Sequence, residues 1–446
     1  MKSVEELKAG IQVAIDRRMD WMVDVSKAIL ASPEPGFCEV KTSRLVAQKL
    51  DELGIAYETG IALTGVKGYI RGARPGPTVA LIGELDSLRV LGHPHADPDT
   101  AAAHACGHHC QIGTMLGAAA ALSAPEVREA LSGNVALMAV PAEEFIDVEY
   151  RWGLHQAGML GLMSGKQEFI RLGAFDDVDM SMMVHTSSRP QDRSLAVGGS
   201  SNGHVVKFVT FIGRASHAGG APHLGINALQ AATVALTALN AQRETMREED
   251  TIRLHGIMTA GGVSVNSVPA DVRYEGRVRG RSAEAIDDAN MKMDRCMRAG
   301  ALALGATVKI VTIPGYLPML NNEPLMAIFR QNGVRVVGEE NFTVHDDGRH
   351  RGGSTDMGDV SHIMPAIHPY AGGATGSGHG IDYVVQDYDK AVVTPAKVMA
   401  MTVVDLLADD GAGARGVLEQ SPPKITKARY LEMQESRLKE ELYEGR

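Results

Sequence analysis

Three short apolar runs, separated by helical segments, constrain the fold of this chain more than any other feature. The runs are residues 78–83, 134–140 and 178–184, and helical stretches such as 111–122 lie between them. Strands that are apolar along their whole length are typical of a parallel sheet covered by helices. The alternation therefore predicts an α/β fold with a mixed, mostly parallel sheet flanked by helices. Each run ends in polar residues, and open sheets of this kind bind ligands beyond the carboxyl ends of their strands.

The pattern changes near residue 200. Residues 271–279 alternate strictly, so that one face of this strand is expected to be buried and the other wet. The other strands are predicted at 204–212, 251–258 and 306–312, and the helices at 226–241 and 283–303. This order is that of a small ferredoxin-like, split-βαβ α+β domain. We predict that residues 199–317 form this domain, inserted into a larger one made of residues 1–198 and 318–410.

Length and charge narrow the class of protein. A chain of 446 residues exceeds what one hydrophobic core usually organises. Its formal charge of -10, without a cluster of basic and aromatic residues, makes nucleic acid an unexpected partner. The four scattered cysteines, the acidic first helix and the lack of a long uncharged apolar run predict a cytoplasmic protein without a membrane span. Residues 411–446 are predicted to be a charged tail, either a solvated helix or an oligomer contact.

Histidines and cysteines are concentrated in one short segment. His104-Ala-Cys-Gly-His-His-Cys110 holds three histidines and two cysteines just before a helix of small residues. A helix N-terminus favours the thiolate form of Cys106. Cys106 and His108 could both contact one metal ion or a pair of ions. The alternative is a redox or structural Cys/His loop.

Two adjacent carboxylates, Glu143 and Glu144, follow the run 134–140. Such neighbours repel each other unless one binds a metal or both are solvated. One carboxylate could bind a metal while the other faces the substrate as a base. His185 follows the next run and His379 lies in the glycine-rich segment 372–380. All these residues are expected at one edge of the predicted sheet.

These motifs resemble those of a large family of metallopeptidases and amidohydrolases. The family includes aminoacylases, carboxypeptidase G, indole-acetyl-amino-acid hydrolases and aminobenzoyl-glutamate hydrolases. The resemblance covers about residues 30–400, and residues 353–361 look most like the aminobenzoyl-glutamate branch. The motifs that carry it are Pro33-Glu-Pro-Gly-Phe-Cys-Glu39, Gly83-Glu-Leu-Asp86, His104-Ala-Cys-Gly-His108, Pro141-Ala-Glu-Glu144, Val184-His185, Gly213-Arg-Ala-Ser-His217, Pro222-His-Leu-Gly-Ile-Asn-Ala228, Gly353-Ser-Thr-Asp-Met-Gly-Asp-Val-Ser361 and Gly378-His379.

The resemblance implies a zinc-exopeptidase-like catalytic domain, a lid domain that forms a homodimer or a higher oligomer, and roles for named residues. The implied metal ligands are Cys106, His108, Glu144, His185 and His379. Glu143 is implied as the general base, and Asp86 as the partner that orients a ligand. His217 would lean from the lid toward the substrate oxygen, in its own or the neighbouring subunit's site. Asn266 and Arg279 are implied substrate contacts, for which the alternatives are a turn residue and a solvent-facing charge.

Departures from the family pattern leave the metal count open. Many relatives have Asp after the position of His108 and His two residues later, where this chain has His109, Cys110 and Gln111. The sequence is therefore compatible with one divalent ion per subunit or with two. The mixed nitrogen, oxygen and sulfur ligands suit zinc, and manganese, cobalt or nickel also fit. An insertion after Glu144 is expected to change the shape of the pocket, so the substrate of this chain cannot be inferred from that of a relative.

The function predicted from these residues is metal-dependent hydrolysis of a C–N bond in a small N-acyl or N-aroyl amino acid or dipeptide. The substrate's carboxylate needs a cation, for which Arg279, Arg349 and Arg351 are candidates; the alternative for residues 349–351 is a solvated loop. The first alternative is hydrolytic deamination of an activated aromatic amine such as a nitroanthranilate. The second is a non-catalytic binding protein or complex subunit that has kept the fold.

Overall fold

Our computed structural model describes residues 2–445, apart from the side chains of residues 346–349. Its central feature is a six-stranded sheet, which we call the large sheet. The strands from one edge to the other are Ala56–Ile61, Gly65–Arg71, Ser132–Val140, Arg74–Glu84, Met180–Met182 and Ala366–Ile367. The first two pairings are antiparallel and the other three are parallel. The predicted mixed, mostly parallel sheet is thus confirmed.

Helices cover both faces of the large sheet, which is why its two central strands are apolar over residues 79–83 and 135–140. The helices on the first face are Val4–Asp16, Met19–Leu30, His108–Leu122, Glu323–Val337 and Thr394–Leu407. On the opposite face, Gly165–Leu172 and Met357–Ile363 pack against the strands. The first thirty residues, which the sequence suggests as one amphipathic helix, form two. Further helices are Val40–Glu52, Pro125–Arg128 and Val148–Gln156.

Small residues allow the helix His108–Leu122 to lie close to its neighbours. A Cβ atom on Gly113 would lie 2.1 Å from Ser26 Oγ, and one on Gly117 would lie 2.2 Å from Met22 Cε. Every residue of this helix is buried. The close packing fixes the N-terminal end of the helix, and with it the preceding Cys106, beside the carboxyl ends of the parallel strands.

The described residues include no single helix that is long and apolar enough to cross a membrane. One pair, Asp389–Leu407 with Asp409–Gln420, passes that test only when its two parts are joined across a 70° bend. Twelve residues of Thr394–Leu407 are buried inside the protein, as expected for a core helix.

A second sheet of five antiparallel strands lies in the segment where the sequence pattern changes. Its strands in order are Arg253–Ala260, Asp271–Gly280, Gly203–Ile212, Thr307–Pro314 and Lys439–Glu444. The helices Ala228–Ala241 and Ala283–Leu304 pack on one face through a separate apolar core. The strands and helices predicted between residues 204 and 312 are confirmed, and the first four strands have ferredoxin-like order.

The face of the second sheet that was expected to be wet is partly covered. Phe145, Val148 and Met163 pack against Val206 and Ile313 of this face. These three residues belong to the insertion after Glu144. The insertion therefore joins the second sheet to the rest of the protein, and the charged side chains of residues 271–279 become half-buried.

The C-terminal segment differs from the expected solvated helix. Residues Lys427–Arg437 are helical, but Tyr430 and Gln434 are buried, and the Tyr430 hydroxyl donates to Asp359 Oδ1 at 2.8 Å. Lys439–Glu444 then forms an edge strand paired with Thr307–Pro314. Four of its six residues are charged and most are exposed, which explains why the sequence suggested a solvated tail.

A third, four-stranded sheet connects the two larger sheets. Its strands in order are Phe342–Arg351, Leu195–Ser201, Tyr370–Ala371 and His185–Thr186. Two short ribbons, Leu88–Arg89 with Ala102–Ala103 and Ala374–Thr375 with Val384–Val385, flank it. The third sheet matters for the site because it carries His185 and Arg351.

Candidate metal centre

The chemically capable side chains converge at the carboxyl ends of the parallel strands. Arg74–Glu84 ends two residues before Asp86, and Ser132–Val140 leads into Glu143 and Glu144. Left-handed backbone at Ala142 (φ 55°) and at His379 (φ 66°) marks the sharp turns that bring these segments together. The sheet edge thus gathers residues that are far apart in the sequence.

Cys106, His108 and His185 form the first group of possible metal ligands. Their ligand atoms all lie within 4.8 Å of one another. Cys106 Sγ is 3.3 Å from His185 Nε2, while His185 Nδ1 lies 2.8 Å from the carbonyl oxygen of Thr186. Donation of an Nδ1 proton to that carbonyl leaves the Nε2 lone pair directed at the cluster.

Cys106, Glu144 and His379 form a second group, and it shares Cys106 with the first. His379 Nε2 lies 3.2 Å from Glu144 Oε1. The backbone N–H of His379 donates to the carbonyl of Ala105 at 2.9 Å, which ties the glycine-rich loop to the Cys106 turn. The negative charge of Glu144 raises the pKa of His379 to about 11.

Asp86 connects the two groups. Its Oδ1 lies 3.1 Å from His108 Nδ1, and its Oδ2 accepts a hydrogen bond from the Glu144 backbone N–H at 2.8 Å. Asp86 is fully buried, as is His108. The carboxylate therefore orients the His108 ring and fixes the turn that carries Glu144, which is the arrangement expected of a residue that holds a ligand in place.

Glu143 lies beside these groups, and its carboxylate forms a third group of possible ligands with Glu84 and His108. Its environment differs from that of Glu144. Burial and the charges of Glu84 and Glu144 raise the pKa of Glu143 well above its usual range. For Glu144, burial also raises the pKa, but the positive charge of the neighbouring His379 outweighs burial and holds it below the usual range. Two adjacent carboxylates with pKa values pushed apart are suited to different roles, one as proton acceptor and one as ligand.

A buried ionic network, which the sequence reasoning missed, lies under the site. Lys166 Nζ is 2.5 Å from Glu84 Oε1 and 2.5 Å from Asp356 Oδ1, and all three side chains are at most 1% exposed. Gln111 also donates to Glu84 at 2.8 Å. Glu84 and Asp356 lie within two of the motifs quoted above, so both could have been proposed as site residues from the sequence. Nothing in the sequence around Lys166 marks it.

The buried donor set fits divalent metal ions. Among the described residues, His108 Nε2 and Glu144 Oε1 are buried atoms that have no hydrogen-bond partner. Glu84 Oε2 lies 3.1 Å from that Nε2 without completing a hydrogen bond. A buried polar atom without a partner costs free energy, and a cation at either group would satisfy it. Thiolate, imidazole and carboxylate together are donors that zinc and other first-row metals accept.

A cavity of about 640 Å³ opens beside Glu143, Glu144, Cys106, His185 and His379. Arg279 and Arg351, two of the three predicted carboxylate-binding residues, line it. The guanidinium of Arg351 lies over the Tyr370 ring and is paired with Asp192 at 2.9 Å. The side chain of Arg349 lies outside the described residues. Arg189, Arg253 and Arg277 also line the cavity and were not predicted.

His217 and Asn266 do not line this cavity. His217 is exposed on a corner of the inserted segment, where its Nδ1 accepts hydrogen bonds from the N–H groups of Gly219 and Gly220. The Ala218 N–H donates to the carbonyl of Asn266 at 2.9 Å. The structure therefore brings His217 and Asn266 together with each other, but not with the five possible metal ligands of the same chain.

The atypical residues after His108 have partners outside the ligand groups. The His109 ring packs against His104 and Tyr388 at centroid distances of 5.3 and 6.1 Å, and burial lowers its pKa to about 3. Cys110 is buried in the main core. His109 thus replaces the usual Asp without entering either group.

Comparisons with known proteins agree with this geometry. The family signature described as Peptidase family M20/M25/M40 matches residues 80–403. The chain is 33% identical over 431 residues to a human protein named Xaa-Arg dipeptidase, covering 91% of this chain and 89% of that one. It is 28% identical to the IAA-amino acid hydrolase ILR1-like 5 of Arabidopsis thaliana, covering 72% of each chain.

Its fold is also similar to that of the solved Bacillus subtilis protein YXEP, described as a dinuclear metal-binding peptidase. The TM-score is 0.62 at 20% identity, and the match covers 88% of this chain and 99% of that one. At that identity the likeness concerns the fold alone. Because the family signature spans most of the sequence and the human relative matches nearly all of it, the chain belongs to Peptidase family M20/M25/M40.

Proposed function

We propose that this protein hydrolyses the C–N bond of a small N-acyl or N-aroyl amino acid or dipeptide with the help of bound metal ions. The observation that carries the proposal is the position of Glu143, buried beside two ligand groups that share Cys106, at the wall of an arginine-lined cavity. Relatives named as a dipeptidase and as an amino acid conjugate hydrolase support this reaction class.

Two ions per subunit are the count that the ligand groups favour. Cys106, His108 and His185 would hold one ion, and Cys106, Glu144 and His379 the other, with the thiolate shared between them. When bound, the ions would polarise the scissile carbonyl group and would lower the pKa of the attacking water to near neutral. Zinc and manganese both suit these donors, and the ligand set does not choose between them.

Glu143 is the residue of this chain that would move the proton. Its raised pKa makes it a stronger base than an exposed glutamate, so that it takes a proton from the attacking water and returns it to the departing nitrogen. Asp86 keeps the His108 ring in one orientation throughout. Arg279, held by Ser354 Oγ at 2.9 Å, is placed to bind the substrate's carboxylate.

Hydrolytic deamination of an aromatic amine would use the same groups. The two reactions differ in the product that carries the nitrogen. Amide hydrolysis releases the nitrogen as an amino acid, whereas deamination releases it as ammonia. Incubation with a panel of N-acyl amino acids and activated arylamines, with both products assayed, distinguishes them. We expect amino acid release from the acyl compounds. Turnover confined to the arylamines would overturn the amide assignment.

Replacing the shared ligand tests the metal groups. Cys106→Ala should reduce the metal content from about two ions per chain to less than one, and activity should fall in proportion or further, because both groups lose a ligand. Cys296→Ala is the matched control, since Cys296 lies in the core of the inserted segment and contacts neither group. Elemental analysis after dialysis is the measurement. Full metal content in Cys106→Ala would contradict the proposed ligand set.

We further propose that the inserted segment forms a homodimer in which His217 completes the partner's site. Arg253–Ala260 is an edge strand, and the loop that follows exposes Val263 and Val265 almost completely. Exposed apolar residues beside an unpaired strand edge are typical of an interface. His217 lies on the same segment, exposed and outside its own cavity.

Complementation tests this arrangement. His217→Ala and Glu143→Gln should each be nearly inactive alone. Mixed dimers of the two variants should regain activity, because one of their two sites then has both wild-type residues. The measurement is activity after the two variants have been denatured and refolded together, with each variant refolded alone as the control. Mixed dimers as inactive as the parents would place His217 in its own subunit's site or outside the reaction.

A further inference from the structure

We propose that the substrate carries a second anionic group besides the carboxylate of an acyl amino acid, and that one patch on the inserted segment binds both anions, with Arg279 at the carboxylate. The patch consists of Arg253, Arg277 and Arg279 with His255, and we call it the arginine patch. This inference rests on the proposed function, because it describes the substrate of the same site. The shared chemistry is an oxyanion, either a second carboxylate or a phosphate ester.

The register of two strands creates the arginine patch. Arg253 is directly opposite Arg279, and His255 is directly opposite Arg277, on the antiparallel strands Arg253–Ala260 and Asp271–Gly280. Residues that face each other in this way share one side of a sheet, and all four side chains line the cavity. Like charges directly opposite each other destabilise a sheet. The arrangement is therefore costly unless an anion lies between the arginines.

No direct ion pair balances the arginine patch within the described part of the chain, although the charge of Glu144 acts on Arg277 and Arg279 from a distance. None of Arg253, Arg277 and Arg279 forms an ion pair with a described carboxylate, and the groups to which they donate hydrogen bonds are neutral. Arg277 donates to the carbonyl of Phe145, and Arg279 donates to Ser354 Oγ and to His255 Nε2 at 3.1 Å.

The rest of the cavity wall adds positive charge. Arg189 also lines the cavity and has no ion pair among the described residues, whereas Arg351 is paired with Asp192. Burial and the charges of Arg279 and Arg277 lower the pKa of His255 to about 4, so His255 is neutral and can accept the hydrogen bond from Arg279. The acidic groups of the cavity, Glu143 and Glu144, are at the metal groups.

Four unpaired guanidinium groups exceed what one carboxylate requires. An arginine binds a carboxylate or phosphate through two parallel hydrogen bonds, so one or two arginines serve one oxyanion. Two oxyanions would use the whole set. A positively charged side chain would be repelled, so a dipeptide ending in arginine, the class in the name of the human relative, should bind poorly.

Binding to the Glu143→Gln protein, with its metal bound, tests the inference without turnover. The ligands are N-acetylglutamate, N-acetylglutamine, N-acetylarginine and N-acetyl-O-phosphoserine, measured by calorimetry at one ionic strength. We expect N-acetylglutamate or the phosphoserine compound to bind about 10- to 100-fold more tightly than N-acetylglutamine, since charged hydrogen bonds of this strength are added. Whichever dianion binds more tightly identifies the second group.

Two further variants link the effect to the arginine patch. Arg253→Gln in the Glu143→Gln background should remove most of the preference for the dianion. Arg44→Gln, on an exposed helix surface, should not change it. Three results would each overturn the inference. The first is equal binding of N-acetylglutamate and N-acetylglutamine together with weak binding of the phosphoserine compound. The others are tighter binding of N-acetylarginine than of the dianions, and no measurable binding of either dianion. Failure of the proposed hydrolysis appears separately, as an unmodified protein that binds the dianion but releases no product.

Discussion

Replacing Glu143 with glutamine should lower kcat by about 10²- to 10⁴-fold while the metal content stays at the wild-type value. The amide has nearly the same shape as the carboxylate but cannot accept the proton of the attacking water. Glu143 belongs to neither group that shares Cys106, so its replacement leaves those ligands in place. Initial rates and elemental analysis on the same preparation are the two measurements.

The control for Glu143 is Glu149→Gln. Glu149 is an exposed glutamate six residues along the same insertion and pairs with Arg273 at 2.6 Å. We expect its replacement to change kcat by less than about twofold, since exposed ion pairs contribute about 1 kcal/mol or less. Wild-type turnover by Glu143→Gln would refute its role as the base, and loss of metal along with turnover would make it a ligand instead.

Replacing Lys166 with methionine should lower the free energy of unfolding by about 3–5 kcal/mol. Methionine fills a similar volume but leaves the buried carboxylates of Glu84 and Asp356 without their cation. Although burial opposes it, the charge of Lys166 helps to lower the pKa of Glu84 to about 2, so this carboxylate stays charged in the wild-type protein. Urea unfolding followed by circular dichroism gives the measurement.

Lys390→Met is the matched control for Lys166. Lys390 pairs with Asp387 at 3.2 Å on the surface, and both side chains are nearly half exposed. Water screens such a pair, so its loss should cost about 1 kcal/mol or less. Similar destabilisation by both substitutions would show that the Lys166 network is not specially sensitive, and would argue against its role as the support under the site.

The fold was readable because its pattern is local. The strand Ser132–Val140 needs neighbours on both faces, and this requirement appears directly as the unbroken apolar run 135–140. The alternation of residues 271–279 likewise predicted a half-exposed strand. The pattern could not show what would cover the polar face of this strand. The insertion beginning at Phe145 packs near that face but lies far from it in the sequence.

The same limit explains which parts of the site were predictable. Cys106 and His108 share one turn, and Glu143 and Glu144 follow one strand, so their chemistry is concentrated in short segments. Lys166 has no such context, since its partners Glu84 and Asp356 are 82 and 190 residues away. Arg253 becomes significant only through its register with Arg279. Register and long-range ion pairs are properties of the folded chain.

The terminal strand Lys439–Glu444 shows how charge can mislead. Its sequence, Lys-Glu-Glu-Leu-Tyr-Glu, suggests a solvated helix, yet Leu442 and Tyr443 lie within an edge strand of the second sheet. Charged edge strands are a common protection against unwanted pairing. The charge pattern therefore reports exposure here, and not the type of secondary structure.

The proposed function depends above all on Cys106 being a ligand shared by two metal ions beside Glu143. An anomalous-difference map from crystals grown with zinc or manganese tests it most directly. We expect two peaks, each within about 2.5 Å of Cys106 Sγ, one near His108 and His185 and the other near Glu144 and His379. A map from active protein with peaks away from Cys106, or with an ion bound by His109, would contradict it.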